Sequence, residues 1–452
     1  MKQVKRRTWF CLIFTLLLAA GLAVFVMRYG TNGAQWAAFS ANKHIYDKSG
    51  QLISGEILDR NGNVLYDAAT GSYSEDQTVR KATLHAVGDR SGNIATGAKK
   101  VFSSQLSGFN PILGTTAGGH DLYLTIDEDL NALAYSALSG KKGTVGVYNY
   151  QTGEILCMVS LPAFDPADPP EIRDGDSRYE GVYLNRFLSA SYTPGSVFKL
   201  VTTAAAIDHL SDLESRSFTC TGSIEIGGQK ITCPSVHGTM DIYGALANSC
   251  NCVYAQLATE LGGKTLWQYA KKAGLLDSLS VSGIDTAAGS FTAAADGTAD
   301  LGWSGVGQYE DLVNPCAMMT YAGTIANGGS RVLPRLIARE TTAAGLPAAM
   351  YRKQEQPSSL SAATCNKLAD MMRNNVTEHY GQSQFGNLAV CAKSGTAEVG
   401  SGQRPHSWFV GFIDDAAHPL AFVVVVENGG SGASVAGSIA AKVLNAAADA
   451  GY

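Results

Sequence analysis

The chain has 452 residues, which is enough for one large domain with its own core and a smaller domain beside it. Hydrophobic residues make up 45% of the chain and charged residues only 16%, so the composition excludes an intrinsically disordered protein. The net charge of -5 excludes a globally basic surface, and we expect no nucleic-acid partner.

The N-terminus has the pattern of a membrane anchor. A basic cluster ending at Arg7 precedes an uncharged run over residues 8–27, which Arg28 closes. Such a run spans a bilayer core as a helix. We predict a single anchor over 8–28, with residues 1–7 in the cytoplasm because of the basic cluster and the rest of the chain outside it. A cleaved signal peptide is the alternative, but no small-x-small cleavage site follows the apolar run.

The next segment, residues 29–120, is polar, rich in glycine and weakly periodic. Within it, residues 53–65 have the pattern of two short strands around an Asn-Gly turn. The segment has too few apolar clusters for an independent enzyme core. We therefore predict a small β-rich pedestal over 29–120.

Residues 121–452 are assigned to one large α/β domain. Strands are predicted at both of its ends, with helices between them. The order lacks regular βαβ alternation, which indicates an antiparallel sheet with flanking helices. The predicted strands cover 122–126, 143–149, 154–160, 390–399, 407–413 and 420–426. The predicted helices cover 128–138 (with Asp127 as N-cap), 316–326 and 437–450, and two further helical pieces flank residues 249–251.

A candidate nucleophile and base follow Pro194 and Gly195, which interrupt the chain just before an apolar run. The run predicts a buried helix with Ser196 in its first turn, where free N–H groups and the helix dipole favour a developing anion. Lys199 lies three residues later, so its amine shares a helix face with the Ser196 hydroxyl. Burial can lower the pKa of a lysine enough for it to act as the base. The same spacing begins at Ser40 in a polar segment, so spacing alone is not decisive.

Ser249 and Asn251 fall at the predicted break between two helices. A hydroxyl and an amide on one loop can pass a proton and hold a substrate amide. Satisfaction of the local backbone is the alternative role for such a pair, since Ser91-Gly-Asn repeats the pattern in the pedestal.

A late predicted strand carries Lys393, Ser394, Gly395 and Thr396. Strand alternation places Ser394 and Thr396 on one face, where two hydroxyls can bind a carboxylate. Gly395 allows another backbone or a substrate to approach the strand closely. The charge of Lys393 would lower the pKa of Lys199.

Cysteines suggest two further possibilities. Cys220 and Cys233 flank a predicted hairpin and can pair across it in an oxidising compartment. A zinc site on Cys233, His237, Cys250 and Cys252 is the other possibility, but their spacing matches none of the common structural zinc patterns. We therefore predict no metal.

The three stretches occur in the order Ser-x-x-Lys, Ser-x-Asn and Lys-Ser-Gly, at a helix start, a helix–helix loop and a late strand. This ordered triple resembles that of penicillin-binding proteins and serine β-lactamases. The chain is similar to class B penicillin-binding proteins, which are membrane-anchored peptidoglycan transpeptidases. The short pedestal resembles the smaller members of the class, and no glycosyltransferase segment precedes it, which disfavours the bifunctional class. Further segments similar to the family are 55–62, 124–127, 152–156, 160–166, 307–308, 325–328 and 408–412.

The resemblance implies an α/β penicillin-binding, serine β-lactamase-like transpeptidase domain. In that family's reaction, Ser196 attacks the penultimate D-Ala carbonyl of a stem pentapeptide and expels the terminal D-Ala. Lys199 is then the base for acylation, Ser249 relays a proton to the leaving amine, and Asn251 holds the donor amide.

The resemblance also assigns the groups that bind the substrate's anionic parts. Lys393, Ser394 and Thr396, on either side of Gly395, bind the terminal carboxylate. The backbone N–H groups of Ser196 and Thr396 form the oxyanion hole. β-Lactams are expected to acylate Ser196, and neither a metal nor a cofactor is needed.

By the same resemblance, the expected ligands are peptidoglycan stem peptides and β-lactams. The expected partner is a polytopic glycosyltransferase of the SEDS family, and the expected location is a bacterial cell membrane. A D,D-carboxypeptidase or β-lactamase-type hydrolase has the same constellation and is the alternative enzyme. A β-lactam sensor or scaffold is the alternative from another class. The short cytoplasmic segment argues against a sensor, and a scaffold has no reason to keep all three stretches.

Overall fold

The structure is a computed structural model that describes residues 2–37, 55–107, 109–110, 115–116, 119–173, 175–357, 360–400 and 402–452. The start of the strand pair predicted over 53–65 lies outside the described residues. Its helices are α1 (Lys2–Ala37), α2 (Gln77–Ala82), α3 (Leu84–Val87), α4 (Ala98–Val101), α5 (Ser103–Ser107), α6 (Glu128–Leu138), α7 (Arg186–Ser189), α8 (Lys199–His209), α9 (Ile242–Ala247), α10 (Asn251–Leu261), α11 (Gly263–Lys272), α12 (Ala299–Val306), α13 (Pro315–Ala326), α14 (Ala362–Asn375) and α15 (Gly437–Asp449).

Its strands are β1 (Glu56–Leu58), β2 (Val64–Asp67), β3 (Ser72–Tyr73), β4 (Phe109–Asn110), β5 (Thr115–Thr116), β6 (His120–Leu124), β7 (Gly143–Asn149), β8 (Ile155–Leu161), β9 (Phe218–Cys220), β10 (Ser223–Ile226), β11 (Gln229–Thr232), β12 (Gly238–Met240), β13 (Ser280–Val281), β14 (Ile284–Asp285), β15 (Arg331–Val332), β16 (Ile337–Thr342), β17 (Pro347–Met350), β18 (Glu355–Gln356), β19 (Val390–Ala397), β20 (His406–Ile413) and β21 (Leu420–Val426).

A five-stranded sheet forms the centre of the large domain. Its order is β19-β20-β21-β7-β8, and every neighbouring pair is antiparallel, as the sequence predicted. On β21, Phe422 and Val424 face the core formed with α6 and α15, whereas Val423 and Val425 face the core that contains α8 and α13. Because both faces are buried, β21 is a continuous apolar run rather than an alternating one.

The first residues of α6 and α13 lie within one residue of the starts predicted at 128 and 316. Asp127 is the N-cap of α6, and its Oδ1 accepts a hydrogen bond from the N–H of Leu130 at 2.8 Å. Asn314 is the N-cap of α13, which begins at Pro315. The strand predicted over 390–399, which carries the Lys-Ser-Gly stretch, is shorter than expected, because β19 ends at Ala397.

The predicted pedestal shares a sheet with the large domain. β6 pairs in parallel with β1 and antiparallel with β16, in a six-stranded sheet of order β17-β16-β6-β1-β2-β3. The described residues 55–107 also contain the short helices α2, α3, α4 and α5 beside their strands. The sequence analysis did not predict them, because helices of one or two turns have no amphipathic repeat. The division of the chain at residue 120 stays a prediction.

The N-terminal helix α1 contains the predicted anchor. Its segment from Val4 to Gly30 is 27 residues long and contains an 18-residue stretch with a mean hydropathy of 2.7, so it is long and apolar enough to cross a membrane. It includes the predicted span 8–28. The exposed apolar side chains along it are consistent with a lipid-facing surface.

Asn314 ties the start of α13 to the segment that leads to the candidate nucleophile. Its Oδ1 accepts from the N–H of Ala317 at 3.1 Å. Its Nδ2 donates to the carbonyl oxygens of Leu188 and Ala190 at 3.0 and 2.7 Å. The side chain is fully buried, so water cannot replace these bonds when they are lost.

We expect Asn314→Ala to lower the free energy of unfolding by about 2–4 kcal/mol, because it removes an N-cap and leaves buried carbonyl oxygens without donors. Ser361→Ala is the matched control. Ser361 is an exposed N-cap of α14 whose Oγ lies 3.0 Å from the N–H nitrogen of Thr364, and its loss should cost about 1 kcal/mol. Urea unfolding measures both, and equal effects in the two variants would contradict the role given to Asn314.

Candidate active site

The candidate nucleophile lies in a 3₁₀ turn, Gly195–Phe198, that leads directly into α8. Gly195 has a φ of +54°, and its N–H donates to the carbonyl oxygen of Gly307 at 2.8 Å. Ser196 is partly exposed, and its hydroxyl makes no hydrogen bond to the part of the chain that the structure describes. The hydroxyl is therefore open to an incoming carbonyl carbon.

Lys199 is the first residue of α8, and it is fully buried. Its Nζ donates to the carbonyl oxygen of Ser249 at 2.6 Å, to Asn251 Oδ1 at 2.8 Å and to Ser249 Oγ at 3.2 Å. The sequence places the amine on the same helix face as the Ser196 hydroxyl, but in the structure its hydrogen bonds go to the loop between α9 and α10.

Uncharged acceptors surround the Lys199 amine. The three oxygen atoms that it contacts belong to a carbonyl, an amide and a hydroxyl. Burial, followed by the nearby charge of Lys393, lowers the pKa of Lys199 well below its ordinary value. A lysine held in this way can be a neutral amine at physiological pH, which is the state that a general base requires.

Ser249 connects two buried lysines through one hydroxyl. Its Oγ accepts from Lys199 Nζ at 3.2 Å and from Lys393 Nζ at 3.0 Å. Its φ is +54°, a left-handed conformation that is uncommon for a residue with a side chain. Such backbone outliers cluster at functional sites, where the surrounding structure holds them in place.

Lys393 reaches this hydroxyl from β19, an edge strand of the central sheet. It is fully buried, and its Nζ also donates to the carbonyl oxygen of Ser394 at 2.9 Å and to the Tyr380 hydroxyl at 3.4 Å. Burial lowers the pKa of Lys393 to about 7. The site therefore contains an amine that changes its charge near neutral pH.

Gly395 allows β19 to pack against the turn that carries Ser196. A Cβ atom at this position would lie 3.0 Å from the carbonyl oxygen of Pro194 and 3.0 Å from Val197 Cγ1. Both neighbours belong to well-packed backbone or core and have little room to move. The close backbone approach predicted for Gly395 is therefore present.

Tyr380 is a site residue that the sequence analysis missed. It ends a π-helical turn, Val376–Tyr380, and its hydroxyl accepts from Ser394 N–H at 3.1 Å and from Ser394 Oγ at 3.0 Å. Thr396 lies two residues further along β19 and is exposed, with its Oγ1 accepting from the N–H of Gly432 at 3.3 Å. No local motif marks Tyr380, because its position depends on how the segment after α14 packs on β19.

The structure thus brings all three stretches to one place. Ser249, Asn251, Lys199 and Lys393 are joined by direct hydrogen bonds, and Gly395 packs against the Ser196 turn. A hydroxyl nucleophile, an amine of lowered pKa that can act as a base and a second buried amine can together carry out acyl transfer through a serine ester.

Residues 143–445 match the family of the penicillin binding protein transpeptidase domain. The chain belongs to this family. Peptidoglycan D,D-transpeptidase PbpA of Mycobacterium tuberculosis strain H37Rv is 28% identical to it over 381 residues, which are 77% of this chain and 76% of the relative. The resemblance to class B penicillin-binding proteins and the expected transpeptidase fold are confirmed.

Solved structures of penicillin-binding protein A from M. tuberculosis have the same fold. The crystal structure of the protein matches with a TM-score of 0.76 at 25% identity, over 87% of this chain and 99% of that chain. Its imipenem acyl-enzyme complex matches with a TM-score of 0.76 at 24% identity, over 87% of this chain and 98% of that chain.

Lys393 should make the stability of this penicillin-binding protein rise with pH. Its pKa is lowered to about 7 in the folded state, whereas the unfolded chain has the ordinary, higher value, so the unfolded state binds more protons above pH 7. Between about pH 7 and pH 9 this difference contributes about 2 kcal/mol of added stability.

Lys393→Met removes that contribution, so its urea midpoint should rise less between the two pH values than the midpoint of the unmodified protein. Lys230→Met, at an exposed lysine of β11, is the control and should keep the original pH dependence. If Lys393→Met and the unmodified protein have the same pH dependence, Lys393 does not have the lowered pKa.

Proposed function

We propose that this chain is a peptidoglycan D,D-transpeptidase that cross-links stem peptides through an acyl-enzyme on Ser196. The observation that carries the proposal is the hydrogen-bonded group of Lys199, Ser249 and Lys393. Both lysines are fully buried, and Lys199 directly follows the turn that carries Ser196. Membership of the family supports it, as do the name of the M. tuberculosis relative and the acyl-enzyme complex of its penicillin-binding protein A.

In the acylation step, Ser196 Oγ attacks the carbonyl carbon of the penultimate D-Ala, and Lys199 takes the hydroxyl proton. A neutral Lys199 amine has two protons, which the Ser249 carbonyl oxygen and Asn251 Oδ1 accept at the two shortest distances, 2.6 and 2.8 Å. Its lone pair is then available to a hydroxyl group. The physical requirement for a general base is met without any carboxylate.

Collapse of the tetrahedral intermediate breaks the bond to the terminal D-Ala. The leaving nitrogen takes a proton from the Ser249 hydroxyl, which Lys199 replenishes across their 3.2 Å contact. Lys393, on the other side of the Ser249 oxygen, favours the transient alkoxide because its charge lies 3.0 Å away. The backbone N–H groups of Ser196 and Thr396 form the oxyanion hole in this proposal.

The terminal carboxylate of the substrate binds along β19. Ser394 and Thr396 lie on one face of this strand, and Lys393 adds positive charge at its buried end. Asn251 holds the donor amide through its side chain, whose Nδ2 donates to the Thr232 carbonyl oxygen at 3.0 Å in the structure. β-Lactams occupy the same position, with their carboxylate on the same hydroxyl groups.

The anchor determines where the reaction takes place. With residues 1–7 in the cytoplasm, α1 crosses the membrane and the catalytic domain faces the cell wall. The basic residues before the apolar span support this orientation. We include in the proposal that the anchor and pedestal bind a polytopic glycosyltransferase of the SEDS family, which would supply the glycan strands to be cross-linked.

A fluorescent penicillin should label the full-length protein, and Ser196→Ala should reduce labelling more than about a hundredfold because the ester can no longer form. Ser91→Ala is the control, since Ser91 is exposed and begins the Ser-Gly-Asn segment of the predicted pedestal. It should be labelled like the unmodified protein. Mass spectrometry of the digested adduct locates the modified residue, and undiminished labelling of Ser196→Ala would refute the assignment.

Transpeptidase and hydrolase differ in the acceptor of the acyl group. We expect that a D-amino acid added with a stem-peptide substrate is incorporated at the peptide's terminal position, with release of D-Ala. Chromatography separates this exchange product from the shortened free acid. Formation of only the free acid would favour the D,D-carboxypeptidase alternative.

A further inference from the structure

Three thiols and one imidazole form a compact group behind the loop that carries Ser249. The sulfur atoms of Cys220, Cys233 and Cys250 and one ring nitrogen of His237 all lie within 4.8 Å of one another. Cys233 Sγ is 3.8 Å from Cys250 Sγ and 3.4 Å from His237 Nδ1. The acyl-transfer steps described above use none of these four residues.

The two distances measured from Cys233 Sγ fit the ligand–ligand distances of a tetrahedral zinc site. With Zn–S bonds of about 2.3 Å and Zn–N bonds of about 2.0–2.1 Å, tetrahedral angles place two sulfurs about 3.8 Å apart and a sulfur and a nitrogen about 3.6 Å apart. A disulfide requires sulfurs about 2.05 Å apart. The distances from Cys233 Sγ agree with those expected between two ligands of one zinc ion. Cys220 and Cys233 are both free thiols in this structure.

The fold assembles this group from four places in the chain. Cys220 ends β9, Cys233 follows β11, His237 precedes β12 and Cys250 is the N-cap of α10. The β10–β11 hairpin brings the first two together, and the pairing of β9 with β12 brings His237 to Cys220. The sequence spacing therefore resembles no compact zinc motif, although the ligands meet in space.

We propose that Cys220, Cys233, His237 and Cys250 bind one Zn²⁺ ion as a closed Cys₃His structural site. The sequence pattern predicted no metal, and the zinc site considered there contained Cys252. In the proposed site Cys220 takes the place of Cys252. Three thiol protons leave as the ion binds, since cysteine ligates as the thiolate. The ligand set has no position for substrate, so the ion holds structure and takes no part in acyl transfer.

The site would fix the loop on which the acylation chemistry depends. Cys250 lies between Ser249 and Asn251, and the backbone N–H of Asn251 donates to Cys233 Sγ at 3.2 Å. Hydrogen bonds to ligand atoms orient the ligands of a metal site. The ion would therefore hold both Asn251 and the left-handed Ser249 in the positions where Lys199 contacts them.

The test measures metal in the full-length protein, purified in detergent without chelators. Mass spectrometry of the metal should give about one zinc per chain. Cys220→Ser and Cys233→Ser should each lose most of it. Cys157→Ala is the control, because Cys157 is a buried thiol of β8 on the opposite face of the central sheet, and this variant should retain the metal.

A second measurement does not depend on how the variants fold. When Co²⁺ replaces the native metal in the unmodified chain, thiolate-to-cobalt charge-transfer absorption and the visible spectrum of a tetrahedral ion should appear. Absence of stoichiometric zinc together with absence of that cobalt spectrum would overturn the site. A disulfide among these cysteines, seen as a loss of two hydrogens in the intact mass, would overturn it as well.

The metal site and the proposed acyl transfer can fail separately. If the unmodified protein is purified without bound metal and penicillin still labels its Ser196, the zinc site is refuted and the transpeptidase proposal stands. If the site exists, removal of zinc with a chelator should slow labelling by about tenfold or more, because the Ser249 loop loses its support.

Discussion

The site depends on one shared contact: the Ser249 hydroxyl lies between the amines of two fully buried lysines. Burying two cations together is costly unless at least one of them loses its proton. In the proposed mechanism, Lys199 is therefore the amine that acts as the base, and Lys393 supplies positive charge where an alkoxide develops. Because Ser249 comes from the α9–α10 junction, Lys199 from α8 and Lys393 from β19, the chemistry exists only when all three elements are packed together.

The large sheet explains how this packing is achieved. β19 is an edge strand, so among the described residues one of its sides has no strand partner, while its other side is held by the ladder to β20. Gly395 allows the Ser196 turn to lie against the strand without a clash. The edge of the sheet, the candidate nucleophile and the buried lysine pair thus lie together, and the cysteine–histidine group lies directly behind the Ser249 loop that contacts both lysines.

Local signals predicted much of the fold and the site. The bounds of α6 follow from the Asp127 N-cap and the glycine after Ser139, and β21 from its apolar run. The partners of long side chains could not be predicted in this way. The contact of Lys199 with Asn251, the part played by Tyr380 and the place of Cys220 in the thiol group all depend on packing between elements distant in the chain. The short helices of the pedestal were missed because they lack periodicity.

The pH dependence of acylation tests the central claim, that Lys199 is the base and that Lys393 helps to lower its pKa. The rate constant for labelling by a fluorescent penicillin would be measured against pH for the unmodified protein and for Lys393→Met. We expect an acid limb well below the ordinary lysine pKa, because burial and the charge of Lys393 both lower the pKa of Lys199. Removing that charge should move the limb to higher pH. An acid limb at the ordinary lysine pKa would show that Lys199 is not the base, and a limb that does not move in Lys393→Met would show that Lys393 does not lower its pKa.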